Sequence, residues 1–249
     1  MKEINMKIKK FFMLVCVFSI FNTACGDNIS RQLDKEATRY DQNVTEEKQK
    51  PIKALIINNH SNFIQKIIDT LKDFEIEHSV IDYADFRLDK SSSFDFFILS
   101  GGDIKIRNNP SLQQEEELIR QTTKPIFGIC AGFQIIAKVY GVSISELPEQ
   151  VYGVKKIKVF NLDKLGLNYP SNELDVFEYH SWAVKTPVKD FTVLGSSEFG
   201  IEIIKHNSKP ILATQFHPEV QKDNQGIIIL NYFIEKMVLN KKNNSNFST

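Results

Sequence analysis

From residue 51 onward, short apolar runs alternate with amphipathic stretches. IKALII (52–57) has the length and β-branching of a buried strand. Phe63, Ile64, Ile67, Ile68 and Leu71 then recur at helical spacing and form one apolar stripe. A second strand is predicted at 76–83, with Ile76, Val80 and Ile81 as its apolar positions. A third, FDFFIL (94–99), runs into Ser100-Gly101-Gly102-Asp103. Asn109-Pro110 has the form of a helix cap and a first-turn proline. PIFGI (125–129) is a fourth strand with Cys130 at its end, and 131–140 reads as a helix. The second half is richer in β pattern, at 152–160, 174–178, 191–196, 200–205 and 211–216. A last helix carries Ile227, Leu230, Ile234, Met237 and Val238, with Asp223 as its candidate cap.

This alternation predicts an α/β fold, a parallel sheet covered by helices on both faces, with a small antiparallel β portion added. Ligands of such sheets bind beyond the carboxyl ends of the strands. Gly101-Gly102 and Cys130 both fall there.

The N-terminus has a different texture. Lys2, Lys7, Lys9 and Lys10 precede an apolar run from Phe11 to Phe21. A basic flank before so short a run fits a secretory signal, since a spanning helix needs about 20 apolar residues. The run ends in Asn22-Thr23-Ala24-Cys25-Gly26, which resembles the lipobox of bacterial lipoproteins, although Asn22 stands where an aliphatic residue is usual. The resemblance implies lipid on Cys25, export, and anchoring to a membrane surface without spanning it; a cytoplasmic location is the alternative. The division expected is a signal at 1–25, a polar tether at 26–50, one folded domain at 51–240 and a frayed tail at 241–249.

Charge and cysteine usage narrow the function. Lys+Arg and Asp+Glu number 31 each, and without residues 1–25 the remainder holds 27 basic and 30 acidic side chains. Nucleic-acid binders normally show a basic excess, so that class is set aside. Of the three cysteines, only Cys130 lies in the folded body, so no internal disulfide framework can be built there. Cys130 is either an inert core residue or a reactive thiol.

Its neighbours decide. In Gly128-Ile129-Cys130-Ala131-Gly132, glycines two before and two after the thiol allow a sharp strand-to-helix turn, a nucleophile elbow. The free N–H groups of the following helix favour a thiolate. Thr214-Gln215-Phe216-His217-Pro218-Glu219 offers a base, His217, and a carboxylate to orient it, Glu219, held by the proline between them.

GICAGFQ followed about 90 residues later by QFHPE resembles the class I glutamine amidotransferases. ILSGGD is a third match. EYHSW resembles a motif of anthranilate synthase glutaminase subunits, and Gly200 through QFHPEV resembles the glutaminase part of GMP synthase. The resemblance covers about residues 52–239 and implies a flavodoxin-like three-layer sandwich. It further implies that Cys130 attacks a glutamine side-chain amide to form a γ-glutamyl thioester, with His217 as base and Glu219 orienting it. The backbone N–H groups of Gly102 and Ala131 would form the oxyanion hole. Gln134 and the Ser181-Trp182 backbone would hold the amino-acid end of the substrate. Asp103 departs from the proline or glycine common at its position. His180 is expected to be structural, and His60, His78 and His206 to be surface or strand-end residues. The chemistry calls for no cofactor and no metal. The expected ligand is glutamine or a γ-glutamyl small molecule; a stand-alone hydrolase is favoured, an ammonia-donating component of a synthase is the alternative, and a silent membrane-anchored binding protein is a third.

Overall fold

A computed structural model describes residues 50–240 apart from 168 and 221. The expected signal, tether, tail and Cys25 lipidation lie outside the described residues. From Pro51 the chain forms one compact unit.

Its elements are β1 (Lys53–Asn58), α1 (Ile64–Asp73), β2 (Glu77–Asp82), β3 (Phe96–Leu99), α2 (Gln113–Gln121), β4 (Ile126–Ile129) and α3 (Ala131–Val139). There follow β5 (Ile144–Val159), β6 (Glu173–Val184), β7 (Phe191–Ser196), β8 (Ile201–His206), β9 (Ile211–Thr214) and α4 (Ile227–Tyr232), which continues as a π-helical segment, Phe233–Leu239. All strands join one sheet in the order β2-β1-β3-β4-β9-β8-β7-β5-β6. The first five in that order pair in parallel; from β9 to β6 every pairing is antiparallel.

The apolar runs of β1 and β3 are buried on both faces because successive side chains point opposite ways. Ile56, Phe96 and Ile98 join α1 and the last helix through Ile67, Leu71 and Phe233. Leu55, Ile57, Phe97 and Leu99 pack against α2 and α3 through Leu118, Ile119, Phe133 and Ile136. Each such side chain contributes about 1.5–3 kcal/mol by leaving water. The three-layer α/β sandwich with an antiparallel extension is therefore the observed fold.

Three local features differ from the expectation. β5 starts at Ile144 rather than 152 and runs past Pro148. The register shifts between Glu146 and Val151, and a proline is tolerated at such a break because no ladder bond there needs its missing N–H. β6 extends to Val184 and contains the whole EYHSW motif, which pairs with β5 except at Ser181, where the register breaks. Asp223 does not cap the last helix: it lies in a left-handed turn at φ 55°, and Gly226 is the cap residue. Asn224 does the polar work instead, its side chain accepting the Gly226 N–H at 2.9 Å. Asn109, as expected, accepts the Ser111 N–H at 3.1 Å, with Pro110 opening the turn that leads into α2.

Candidate active site

β4 delivers Cys130 to the N-cap of α3 with φ 47° and ψ −99°. A β-carbon is strained there, by an amount of about 1–3 kcal/mol, so the surroundings must hold the residue. The Cys130 N–H donates to the Thr214 carbonyl at 2.8 Å, and the Gly132 N–H to the Ser100 carbonyl at 3.1 Å. The flanking glycines serve a purpose other than turning. A β-carbon on Gly128 would lie 2.6 Å from Ile136 Cδ1 and 3.0 Å from the Phe133 nitrogen. One on Gly132 would lie 2.3 Å from the Leu99 carbonyl oxygen. Glycine lets α3 settle against β4 and β3, while the cysteine itself bears the unusual backbone.

His217 follows β9 in a short segment tied down on every side. Its N–H donates to the Phe177 carbonyl at 2.9 Å, and its own carbonyl accepts from Asn224 Nδ2 at 2.7 Å. Its Nδ1 lies 2.9 Å from Glu219 Oε1, and Phe63 packs edge-on against the ring at 5.0 Å between centroids. Nε2 has no hydrogen-bond partner among the described residues. Imidazole and thiol converge on one spot, because a β-carbon on Gly101 would lie 2.6 Å from His217 Cε1 and 3.3 Å from Cys130 Cβ. Burial alone would push the His217 pKa down. The Glu219 carboxylate and the Cys130 sulfur push it the other way and prevail, holding it well above the ordinary histidine value.

The loop after β3 supplies the next part. A β-carbon on Gly102, at φ 155°, would sit 1.6 Å from the Asn59 carbonyl oxygen, so only glycine fits. Asn59 is itself fixed: its N–H donates to Ser100 Oγ at 2.9 Å, and its Nδ2 donates to the Ser100 carbonyl at 3.1 Å and to Glu115 Oε1 at 3.3 Å. Burial pushes the Glu115 pKa up to about 8. The amides of Gly102 and Ala131 have no acceptor within the protein among the described residues.

A cavity of about 310 Å³ opens over these groups. Cys130, Gly102, Asp103, Gln134, His217, Ser181 and Trp182 all line it; Ala131 and Glu219 lie behind the lining, both buried. The volume is at the small end of the ~300–1,000 Å³ range of ligand sites. Gln134 Nε2 donates to the Trp182 carbonyl at 2.9 Å and to Gln215 Oε1 at 3.2 Å. Gln215 Nε2 reaches Cys130 Sγ at 3.7 Å, and that sulfur is also 3.7 Å from the Tyr179 carbonyl oxygen. The motifs alone gave no role to Gln215, nor to Arg107, whose guanidinium lies 5.1 Å over the Trp182 ring. Gln215 had one signal, its place directly before Phe216 and His217; Arg107 had none.

His180 is buried at the cavity wall, its Nδ1 2.9 Å from the Trp182 carbonyl oxygen. His60 is exposed and pairs with Asp82 at 2.9 Å. His206 ends β8 but is buried rather than on the surface, where its Nδ1 accepts the N–H groups of Ser208 and Lys209.

Residues 55–237 match the profile of the family described as glutamine amidotransferase class-I. The chain belongs to that family. As a class I glutamine amidotransferase it is 34% identical over 187 residues to a glutamine-hydrolysing GMP synthase subunit of Methanococcus maripaludis, covering 73% of this chain and 95% of the relative. It is 32% identical over 181 residues to the corresponding GMP synthase subunit of Pyrococcus abyssi, with 72% and 95% covered. Among solved structures it is similar to a GMP synthase subunit of Thermoplasma acidophilum, with a TM-score of 0.71 and 26% identity over 79% of this chain and 99% of the other. A glutamine amidotransferase of Thermotoga maritima shares the fold at a TM-score of 0.59 and 21% identity, with 78% and 86% covered.

Proposed function

We propose that the protein hydrolyses the side-chain amide of glutamine, or of a γ-glutamyl compound, through a thioester on Cys130. The observation that carries this reading is the convergence of Cys130 and His217 on the space at Gly101, with Glu219 held 2.9 Å behind the imidazole. The Cys130 thiolate adds to the amide carbon, and the negative charge on oxygen is met by the amides of Gly102 and Ala131. Preorganised donors of this kind commonly lower a barrier by about 3–4 kcal/mol. The imidazolium of His217 gives its proton to the departing nitrogen, the C–N bond breaks, and ammonia or an amine leaves. Neutral His217 then takes a proton from water, whose oxygen attacks the thioester; the acid is released and the thiolate returns. Glu219 keeps the imidazole oriented and favours its charged form. Gln134 and the Ser181-Trp182 backbone hold the amino-acid end of the substrate.

The test is ammonia release from glutamine and a panel of γ-glutamyl amides, with trapping of the acyl-enzyme by hydroxylamine. Cys130→Ala should abolish both. A Cys130→Ala protein that still turns over every substrate of the wild type would sink the mechanism.

A second reading, an ammonia-donating component of a larger synthase, is supported by the names of the relatives, which are subunits of GMP synthase. Co-purification with a synthase, and faster glutamine turnover in its presence, would favour it over the stand-alone hydrolase. We further propose, from the basic flank, the apolar run and the lipobox-like segment, that the protein is exported and anchored by lipid on Cys25. Mass spectrometry of the mature N-terminus tests this, and an unmodified Cys25 thiol rejects it.

A further inference from the structure

Behind the cavity wall, three buried side chains bring lone pairs together. Glu178 and His180 lie two apart on β6 and so share a face; Glu202 comes from β8. One ligand atom from each lies within 4.8 Å of the others, and all three residues are buried, Glu178 and Glu202 completely. Both Glu178 oxygens, Glu202 Oε2 and His180 Nε2 face one another, with no hydrogen-bond partner outside the cluster among the described residues. Leaving such groups buried and unsatisfied is expensive, and buried charges are ordinarily paired or bound to metal.

The outer contacts set the chemistry. His180 Nδ1 donates to the Trp182 carbonyl at 2.9 Å, so in the neutral ring it is Nε2, 3.1 Å from Glu178 Oε2, that carries the bare lone pair. Ser197 Oγ donates to Glu202 Oε1 at 2.5 Å and fixes that carboxylate, leaving Oε2 for the centre. An imidazole anchored to a backbone carbonyl and a carboxylate oriented by a hydroxyl are the usual outer supports of metal ligands. One imidazole nitrogen and two carboxylates suit a divalent transition ion, and a tetrahedral zinc would take the three with a fourth position open.

We propose that Glu178, His180 and Glu202 bind one divalent transition-metal ion, with zinc the best match to the donor set. The motifs in the sequence called for no metal, since they concern only the chemistry at Cys130. The ion clamps β6 to β8. On β6 it sits beside Phe177, whose carbonyl accepts the His217 N–H, and beside Tyr179, whose carbonyl faces the Cys130 sulfur. His180 also lines the cavity.

The full-length protein, stripped with chelator, is titrated with zinc chloride by calorimetry, alongside Cys130→Ser and Glu202→Gln. Wild type and Cys130→Ser should each bind one equivalent. Glu202→Gln keeps shape and an oxygen for Ser197, and should bind more weakly by over about 100-fold, beyond what loss of an outer hydrogen bond alone causes. If Glu202→Gln does not fold, Glu178→Gln replaces it with the same expectation. No zinc binding by wild type overturns the proposal and leaves a proton shared between the carboxyl groups. Loss of binding in Cys130→Ser, or unchanged binding in the glutamine variants, also overturns it, because the zinc would then sit elsewhere. None of these readouts depends on turnover.

Discussion

Replacing Glu115 by glutamine should flatten the way stability falls as the solution becomes more alkaline. The Glu115 carboxyl is completely buried, and its pKa rises from 4.5 to about 8 on folding, chiefly by burial. Between those values the folded chain holds a proton that the unfolded chain has released. Stability therefore falls as pH rises through the window, by up to about 1.4 kcal/mol per pH unit. By pH 8 the accumulated loss is about 3–5 kcal/mol, a large share of the 5–15 kcal/mol that holds a typical domain together. Glutamine cannot ionise and keeps an oxygen to accept from Asn59 Nδ2. Any packing offset it introduces is constant with pH, so the slope carries the test. The other buried carboxyls with raised pKa values, Glu178 and Glu202, are present in both proteins and cancel in the comparison. Urea unfolding at half-unit steps from pH 5 to 9 measures the two curves. They should diverge steadily above pH 5, with the variant the more stable by several kcal/mol at pH 8 once the offset at pH 5 is removed. Parallel curves would refute the placement of a neutral Glu115 beneath the Gly102 loop.

Gly102→Ala should lower kcat for glutamine hydrolysis by about 10²–10³-fold, since the new β-carbon collides with the Asn59 carbonyl and tilts the amide away. Activity within threefold of wild type would contradict the proposed role of that amide. Glu219→Gln removes one of the two influences that raise the His217 pKa. The alkaline limb of its kcat/KM profile, where the imidazolium is lost, should therefore move to lower pH, and an unmoved limb would argue against that influence. Cys130→Gly should be inactive yet more stable than Cys130→Ala by about 1 kcal/mol or more, because glycine alone relaxes at φ 47°; equal melting temperatures would mean the elbow stores no strain.

The parallel half of the fold was legible because its strands are short, apolar and buried on both faces, as at Phe96–Leu99 and Ile126–Ile129. The start of β5 was not, since ISELPEQV combines a proline with polar residues and is carried by a break in register that only the partner strand explains. Cys130, His217 and Glu219 could be singled out from local motifs, and the fold brings all three together. The burial of Asn59, Glu115 and Glu202 could not be read: an isolated buried polar residue looks like any surface one until the strands that enclose it are known. The flanking glycines of the elbow, Gly128 and Gly132, are the places where helix and sheet touch, a role that spacing along the chain does not reveal.

β6 ends the hydrogen-bonded order of the sheet, five places beyond β4, yet its Tyr179 carbonyl faces the sulfur that β4 delivers. The sheet thus curls until its far border closes over its middle. A growing chain that has just emerged through Cys130 has neither that border nor the imidazole made 87 residues later. On the proposed mechanism the thiol gains its base only once the chain through His217 is in place, a consequence of the order of the strands.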